Sequence, residues 1–355
     1  MNPLRRLLLL ALVAPVLSRE PEKQAIAFGP SPGTRLQKTI EASFDFAMED
    51  FSLVVDGEDI GAVMGGFDLE VTTDQTVVLD DLYAKMAEAR TEVLERTFEE
   101  MQGTTNVNFT SEFGEQEQDM DSSSDLEGRT VRFVWNEDSG EYDAAFKEGE
   151  DEGGLLDKLS EDVDFLVLLP EGEVGEGDTW TVPLADLEPV AAPGGNMALL
   201  PEGSEMENYD ELEDLFADRF DNLAELMDGT WECTFQGLNA EDSHLAEIGI
   251  DTKAEANLDL SDVILDLIDI FSKEAGGEEV PDITVDTADV GFEFDGEGLL
   301  VWNVEEDRFV SFELNGDAVI SIDLSVSLDL GDESHEAELF LELSGSYDQG
   351  VSTSE

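Results

Sequence analysis

Ala318-Val319-Ile320-Ser321-Ile322-Asp323-Leu324-Ser325-Val326-Ser327-Leu328-Asp329-Leu330 decides the fold class. One set of alternate residues is Ala, Ile, Ile, Leu, Val, Leu, Leu; the other is Val, Ser, Asp, Ser, Ser, Asp. A period of two means a strand with one buried and one wet face, because successive side chains leave a pleated chain on opposite sides. At about 3.3 Å per residue the stretch spans roughly 40 Å, far beyond the usual five or six residues. After Gly331-Asp332-Glu333-Ser334, Ala337, Leu339, Leu341 and Leu343 repeat the pattern. Before it, Arg308 to Asn315 and Val290 to Val304 read as further strands, punctuated by Asp295-Gly296-Glu297-Gly298 and Glu305-Glu306-Asp307. The result is an antiparallel meander.

His244 to Leu260 alternates in the same way, and the small residues Thr252, Ala254 and Ala256 on its apolar face leave room for something bulky. Ser261 is placed as an N-cap, followed by a helix over 262–273 whose polar stripe is narrow: Asp262, Asp266, Asp269, Lys273. Val263, Ile264, Ile268 and Phe271 belong to its wide apolar arc, so this helix must be buried on more than one side, against the concave face of the sheet. A second helix is expected over 209–227, with Leu212, Leu215, Phe216, Phe220 and Leu223 on one face. In the strand that follows, Trp231, Cys233 and Phe235 share a face, which makes Cys233 a small buried residue.

The N-terminal half is less regular. Strands run through Ile40–Met48, Phe67–Val71, Val107–Phe113 and Val131–Trp135, the last closed by a hairpin loop over 136–140. Apolar residues at 82, 86, 89, 93, 94, 98 and 101 favour a helix over Asp81–Met101, and the acidic stretches 115–127 and 148–154 read as loops. Pro189–Pro201, with Pro193-Gly194-Gly195, is the best break. The divisions are a leader (1–18), an N-terminal β-rich half (19–192), a C-terminal meander (193–347) and a frayed tail (348–355). The fold class is α+β and β-dominated: long curved antiparallel sheets, half-barrel or open-barrel like, packed on one or two helices.

Arg5-Arg6, the apolar run Leu7–Leu17 and Val16-Leu17-Ser18 have the form of a cleaved secretory signal, so the chain is expected to be secreted or periplasmic. No segment has the roughly 20 apolar residues of a spanning helix. With 17 basic and 88 acidic residues the net charge is −71, which repels nucleic acid and anionic lipid surfaces. One cysteine excludes disulfide scaffolds and cysteine-based metal centres, and two histidines leave little for histidine chemistry. No cofactor is expected. Asp119-Met120-Asp121-Ser122-Ser123-Ser124-Asp125 opens like a calcium loop but lacks the sixth-position glycine and has Thr130 in place of the bidentate glutamate, so calcium binding is at most weak.

Leu169-Pro170-Glu171-Gly172-Glu173-Val174-Gly175-Glu176-Gly177-Asp178-Thr179-Trp180 resembles a segment of uncharacterised secreted bacterial proteins, in which L-P precedes V-x-x-G-D-T-W entering a strand. Arg90 and Arg96-Thr97-Phe98 resemble their N-terminal region, where the corresponding stretch is a strand pair with a tight turn near Ala87-Glu88-Ala89. The resemblance implies export, a β-rich domain of unknown function and no assigned activity. It leaves helix and strand pair as alternatives for 81–101.

No nucleophile elbow, phosphate loop or dinucleotide fingerprint occurs. Carboxylate pairs carry no signal among 88 acids, so a non-enzymatic role is expected. The favoured reading is an apolar ligand, a lipid or a partner segment, held on a concave sheet face by Thr252, Ala254, Ala256, Ile264, Ile268, Ile322, Leu324 and Val326. The alternative is an acidic envelope or surface component with weak calcium binding, its own helix filling the concavity. The sequence leaves the assembly state open.

Overall fold

The computed structural model describes residues 23–61, 67–87, 89–111, 114–151, 154–156, 159–201, 227–265, 282–329 and 334–354. The leader at 1–18, the helix expected at 209–227 and the later part of that at 262–273 lie almost entirely outside them. The N-terminal strands are β1 (Arg35–Val55), β2 (Glu58–Asp59), β3 (Phe67–Ala87), β4 (Arg90–Ser111), β5 (Gly114–Ser123), β6 (Thr130–Asn136) and β7 (Glu141–Phe146). Two short strands follow, β8 (Thr179–Thr181) and β9 (Leu200–Pro201). The meander comprises β10 (Asp228–Leu238), β11 (Leu245–Asp259), β12 (Asp282–Asn303), β13 (Arg308–Asp329) and β14 (Ser334–Ser354).

All fourteen belong to one open antiparallel sheet, ordered β7-β6-β4-β3-β1-β14-β13-β12-β11-β10-β8, with β2, β5 and β9 as side branches. The two halves of the chain therefore share a sheet, joined where β1 pairs with β14 from Gln37↔Ser354 to Val55↔Ala337. The sheet curves strongly. Phe28 lies with its ring centre 6.0 Å from Tyr83 on β3 and 6.3 Å from Trp302 on β12. Those strands are four steps apart, about 19 Å in a flat sheet, yet their rings come within about 12 Å of each other on this face. The face that carries Phe28 is thus the concave one.

At one end of the concave face the main core is built from Leu36, Leu79, Phe98, Phe312, Leu300, Trp302 and Ile248, all nearly inaccessible. The segment 159–201 crosses above them. Phe165 stacks on Phe312 at 4.2 Å, and the Gln349 amide donates to the Val190 carbonyl at 3.2 Å. Trp302 Nε1 donates to the Ala27 carbonyl, so the N-terminal stretch seals the same end.

Several boundaries differ from expectation. Arg308–Asp329 is one strand, and β12 runs through Asp295-Gly296-Glu297-Gly298 unbroken. Gly296 and Gly316 face each other there, with the Phe294 ring over both. They are contact glycines, not turn glycines. Residues 81–87 and 90–101 belong to the β3/β4 strand pair. Glu99 is bulged out between Phe98 and Glu100, so Leu94, Phe98 and Met101 stay on one face at spacings of four and three, which imitates a helix. Residues 114–123 are strand, because β4 offers a partner and Asn106 donates to Asp119 and Glu117 on the outer face. Residues 348–354, expected to fray, pair with both β1 and β13, and Val351 sits in the core. The helix after β11 begins at 261 rather than after Ser261, and it is the Asp259 carboxylate that accepts from the Ser261 N–H.

Candidate functional site

Two positions break the apolar alternation on the concave face with bases: Lys38 between Leu36 and Ile40, and Arg96 between Leu94 and Phe98. Both are fully buried. Arg96 Nε and Nη2 donate to the two oxygens of Asp81 at 2.8 and 2.9 Å, while Nη1 and Nη2 reach the Ser160 and Glu161 carbonyls at 2.9 and 2.8 Å. Lys38 Nζ lies 3.0 Å from Asp81 and 2.9 Å from Asp164, and the Tyr83 hydroxyl donates to Asp164 at 2.7 Å. Two cations and two anions thus close on one another, and they fasten 160–164 onto β1, β3 and β4. Burial pushes Asp81 up, but Arg96 and then Lys38 outweigh it and hold the carboxyl below its ordinary range. Burial, then Asp164, raises Tyr83 well above the usual phenol, so it serves as a donor.

The sequence reading did not find this cluster. A usable signal exists: in a chain with 17 bases and 88 acids, a base on the apolar side of a strand has to be paired. The partners, 15 to 126 residues away, carry no such mark.

Beside the cluster is a cavity of about 150 Å³ whose wall includes Phe28, Arg90, Trp135, Tyr142, Glu161 and Asp162. The Arg90 guanidinium lies over Trp135, 4.0 Å from the ring centre. The Tyr142 hydroxyl is engaged, donating to the Thr91 carbonyl at 2.6 Å. Asp162 accepts from the Asp164 and Leu166 N–H groups at 2.7 and 3.2 Å. Burial first, then Asp164, pushes its carboxyl up to about 6, and burial raises Glu161 in the same direction.

The other end of the concave face holds the residues singled out from sequence. Thr252, Ala254 and Ala256 are buried side by side on β11, and Ile322, Leu324 and Val326 are half-buried on β13. Ile264 and Leu324 border a small cluster of Leu258, Leu260, Val263 and Ala288, so the first helical turn at 261–265 is seated on this face. Ile268 lies outside the described residues. Phe294, paired with Ala254, lays its ring over Gly296 on β12 and Gly316 on β13. Further across, Phe44 lies 4.8 Å from Tyr347, Phe51 4.3 Å from Phe67, and Phe67 5.0 Å from Phe109. Phe44, Phe51, Phe67 and Phe109 pack against neither buried cluster.

Cys233 is buried, and burial pushes its thiol up to about 12. His244 and His335 lie at the surface beside Glu305 and Asp56. Among the described residues no group of three or more metal-ligating side chains converges, and no helix is long and apolar enough to cross a membrane.

No family model matches this chain, and no curated protein matches it. Among solved structures, an outer membrane channel from Pseudomonas putida F1 is 8% identical, with 92% of this chain and 97% of that one covered at a TM-score of 0.21. The translocator domain of an autotransporter from Neisseria meningitidis is 7% identical, with 90% and 89% covered at 0.19. At these scores the likeness establishes no common fold.

Proposed function

We propose that this β-rich chain is an exported, non-enzymatic carrier that holds an apolar ligand of the acyl-chain class on the far end of its concave face. One observation carries the reading: the chain's own 159–201 segment packs one end of the face, whereas Phe51, Phe67 and Phe109 form a run of touching rings outside both buried clusters. Apolar surface on this scale gains about 25 cal/mol for each Å² removed from water, so an acyl chain laid along it is held without any specific polar contact. The acidic outer face keeps the loaded protein soluble.

Val263, 1% exposed, favours a second reading. Its helical turn at 261–265 is seated on this same face, and in this reading the chain covers its own concavity and is an acidic envelope component that binds calcium weakly. Organic extraction of purified protein followed by lipid mass spectrometry separates the two. The carrier yields a stoichiometric lipid and takes up the neutral probe N-phenyl-1-naphthylamine, and Phe67→Asp with Phe109→Asp abolishes both. A clean extract together with no probe uptake overturns the carrier.

A further inference from the structure

We infer that the cavity beside the buried ion cluster binds a small zwitterion, an α-amino acid with an aliphatic side chain. The inference is independent of the carrier reading, because none of the far-end residues lines this cavity.

Arg90 is the first observation. Acids outnumber bases 88 to 17, yet Arg90 makes no ion pair among the described residues, and its Nε is shielded from solvent with no hydrogen-bond acceptor. Arg90 lines the cavity, so a ligand carboxylate placed there finds a counter-charge that no acid among the described residues has taken. The Trp135 ring, its centre 4.0 Å from the guanidinium carbon, holds this cation at the cavity wall. Glu161 is the second observation. It lines the same cavity and makes no ion pair among the described residues, while its backbone carbonyl is fixed by Arg96.

Charge then selects the ligand. A simple anion meets Glu161, Asp162 and Asp164 in the wall as well as the field of the whole chain. A simple cation leaves Arg90 unanswered. A zwitterion puts its carboxylate on Arg90 and its ammonium on Glu161, with no net charge to repel. The 150 Å³ equals about five water volumes, room for a small amino acid, and Phe28, Tyr83 and Leu94 supply an apolar wall for its side chain.

The test is calorimetric titration of the purified chain with L-leucine, isopentylamine and 4-methylpentanoate, the last two each lacking one charged group. Leucine is expected to bind at least about tenfold more tightly than either, the effect of one charged hydrogen bond. Arg90→Gln and Glu161→Gln are each expected to weaken leucine by a similar factor, and Arg90→Lys to recover part of the loss. Circular dichroism confirms that the variants are folded. Equal affinity for leucine and either analogue overturns the proposal. So does unchanged leucine binding in both Gln variants, or no heat with wild type for leucine, valine or alanine at millimolar concentration.

Discussion

Arg96 on β4 grips the 159–201 segment and Asp162 lies within it, and their substitutions should act through opposite electrostatic logic. Arg96→Met leaves Asp81 buried with Lys38 as its remaining cation and cuts both bonds to the 160–161 carbonyls. Removing one partner of a buried pair costs about 3–5 kcal/mol, so the urea midpoint should fall accordingly, and a loss below about 1 kcal/mol would contradict the clamp. Asp162 behaves otherwise. Its folded carboxyl titrates near 6, above the unfolded value of about 3.9, so the folded state holds the extra proton between those limits. Stability contributed by this group therefore rises as pH falls from about 6 to 4. Asp81, held below its ordinary range, stabilises above about pH 4, and that contribution is lost as pH drops through its folded value. From these two groups the thermal midpoint should accordingly peak at about pH 4. Asp162→Asn should remove roughly 1 kcal/mol of the gain between pH 7 and 5 while leaving the acid limb intact. Identical slopes for variant and wild type would show that Asp162 does not titrate in this window.

Close approach of the long strands is set by a few glycines, and these also mark where sequence reading stopped working. A Cβ on Gly345 would lie 1.9 Å from the Asp45 carbonyl oxygen, whereas around Gly350, five residues along β14, nothing lies within 4 Å. Gly345→Ala has to move β1 or β14 and should cost about 1–3 kcal/mol in chemical denaturation, with Gly350→Ala close to neutral. Equal effects would mean that the β1/β14 spacing is not fixed there. Alternation in Ala318–Leu330 and in 244–260 revealed strands, faces and even the small patch at Thr252, because period two is a purely local property. Gly296 was read as punctuation because a glycine whose space is filled by a neighbouring ring looks, in one dimension, like a turn. The helix expected at 81–101 failed for a related reason: one bulged residue converts an alternating face into a four-and-three spacing. The pocket was illegible because Arg90, Trp135 and Glu161 meet only after β4, β6 and the 159–201 segment are assembled.

Across the whole molecule the fold also works against the electrostatic repulsion of its own outer face. Asp259 stands opposite Asp289, which stands opposite Asp323, a row of three acids on adjacent strands, and Glu255 faces Glu293 beside it. Directly opposed side chains lie about 5 Å apart, and like charges at that spacing destabilise the pair. The Debye length is about 30 Å at 0.01 M salt and about 3 Å at 1 M, so such rows repel fully in dilute buffer and are largely screened in concentrated salt. The thermal midpoint should therefore climb with sodium chloride, most steeply at low concentration, where screening changes fastest. Asp289→Asn interrupts the row at its centre, so it should raise the low-salt midpoint and flatten the climb. A neutral substitution on the same strand but on the concave face, Val290→Ala, should lower the midpoint without changing its salt slope. If wild type and Asp289→Asn respond to salt identically, the opposed rows are not what limits stability, and the charge of −71 acts only as a diffuse field.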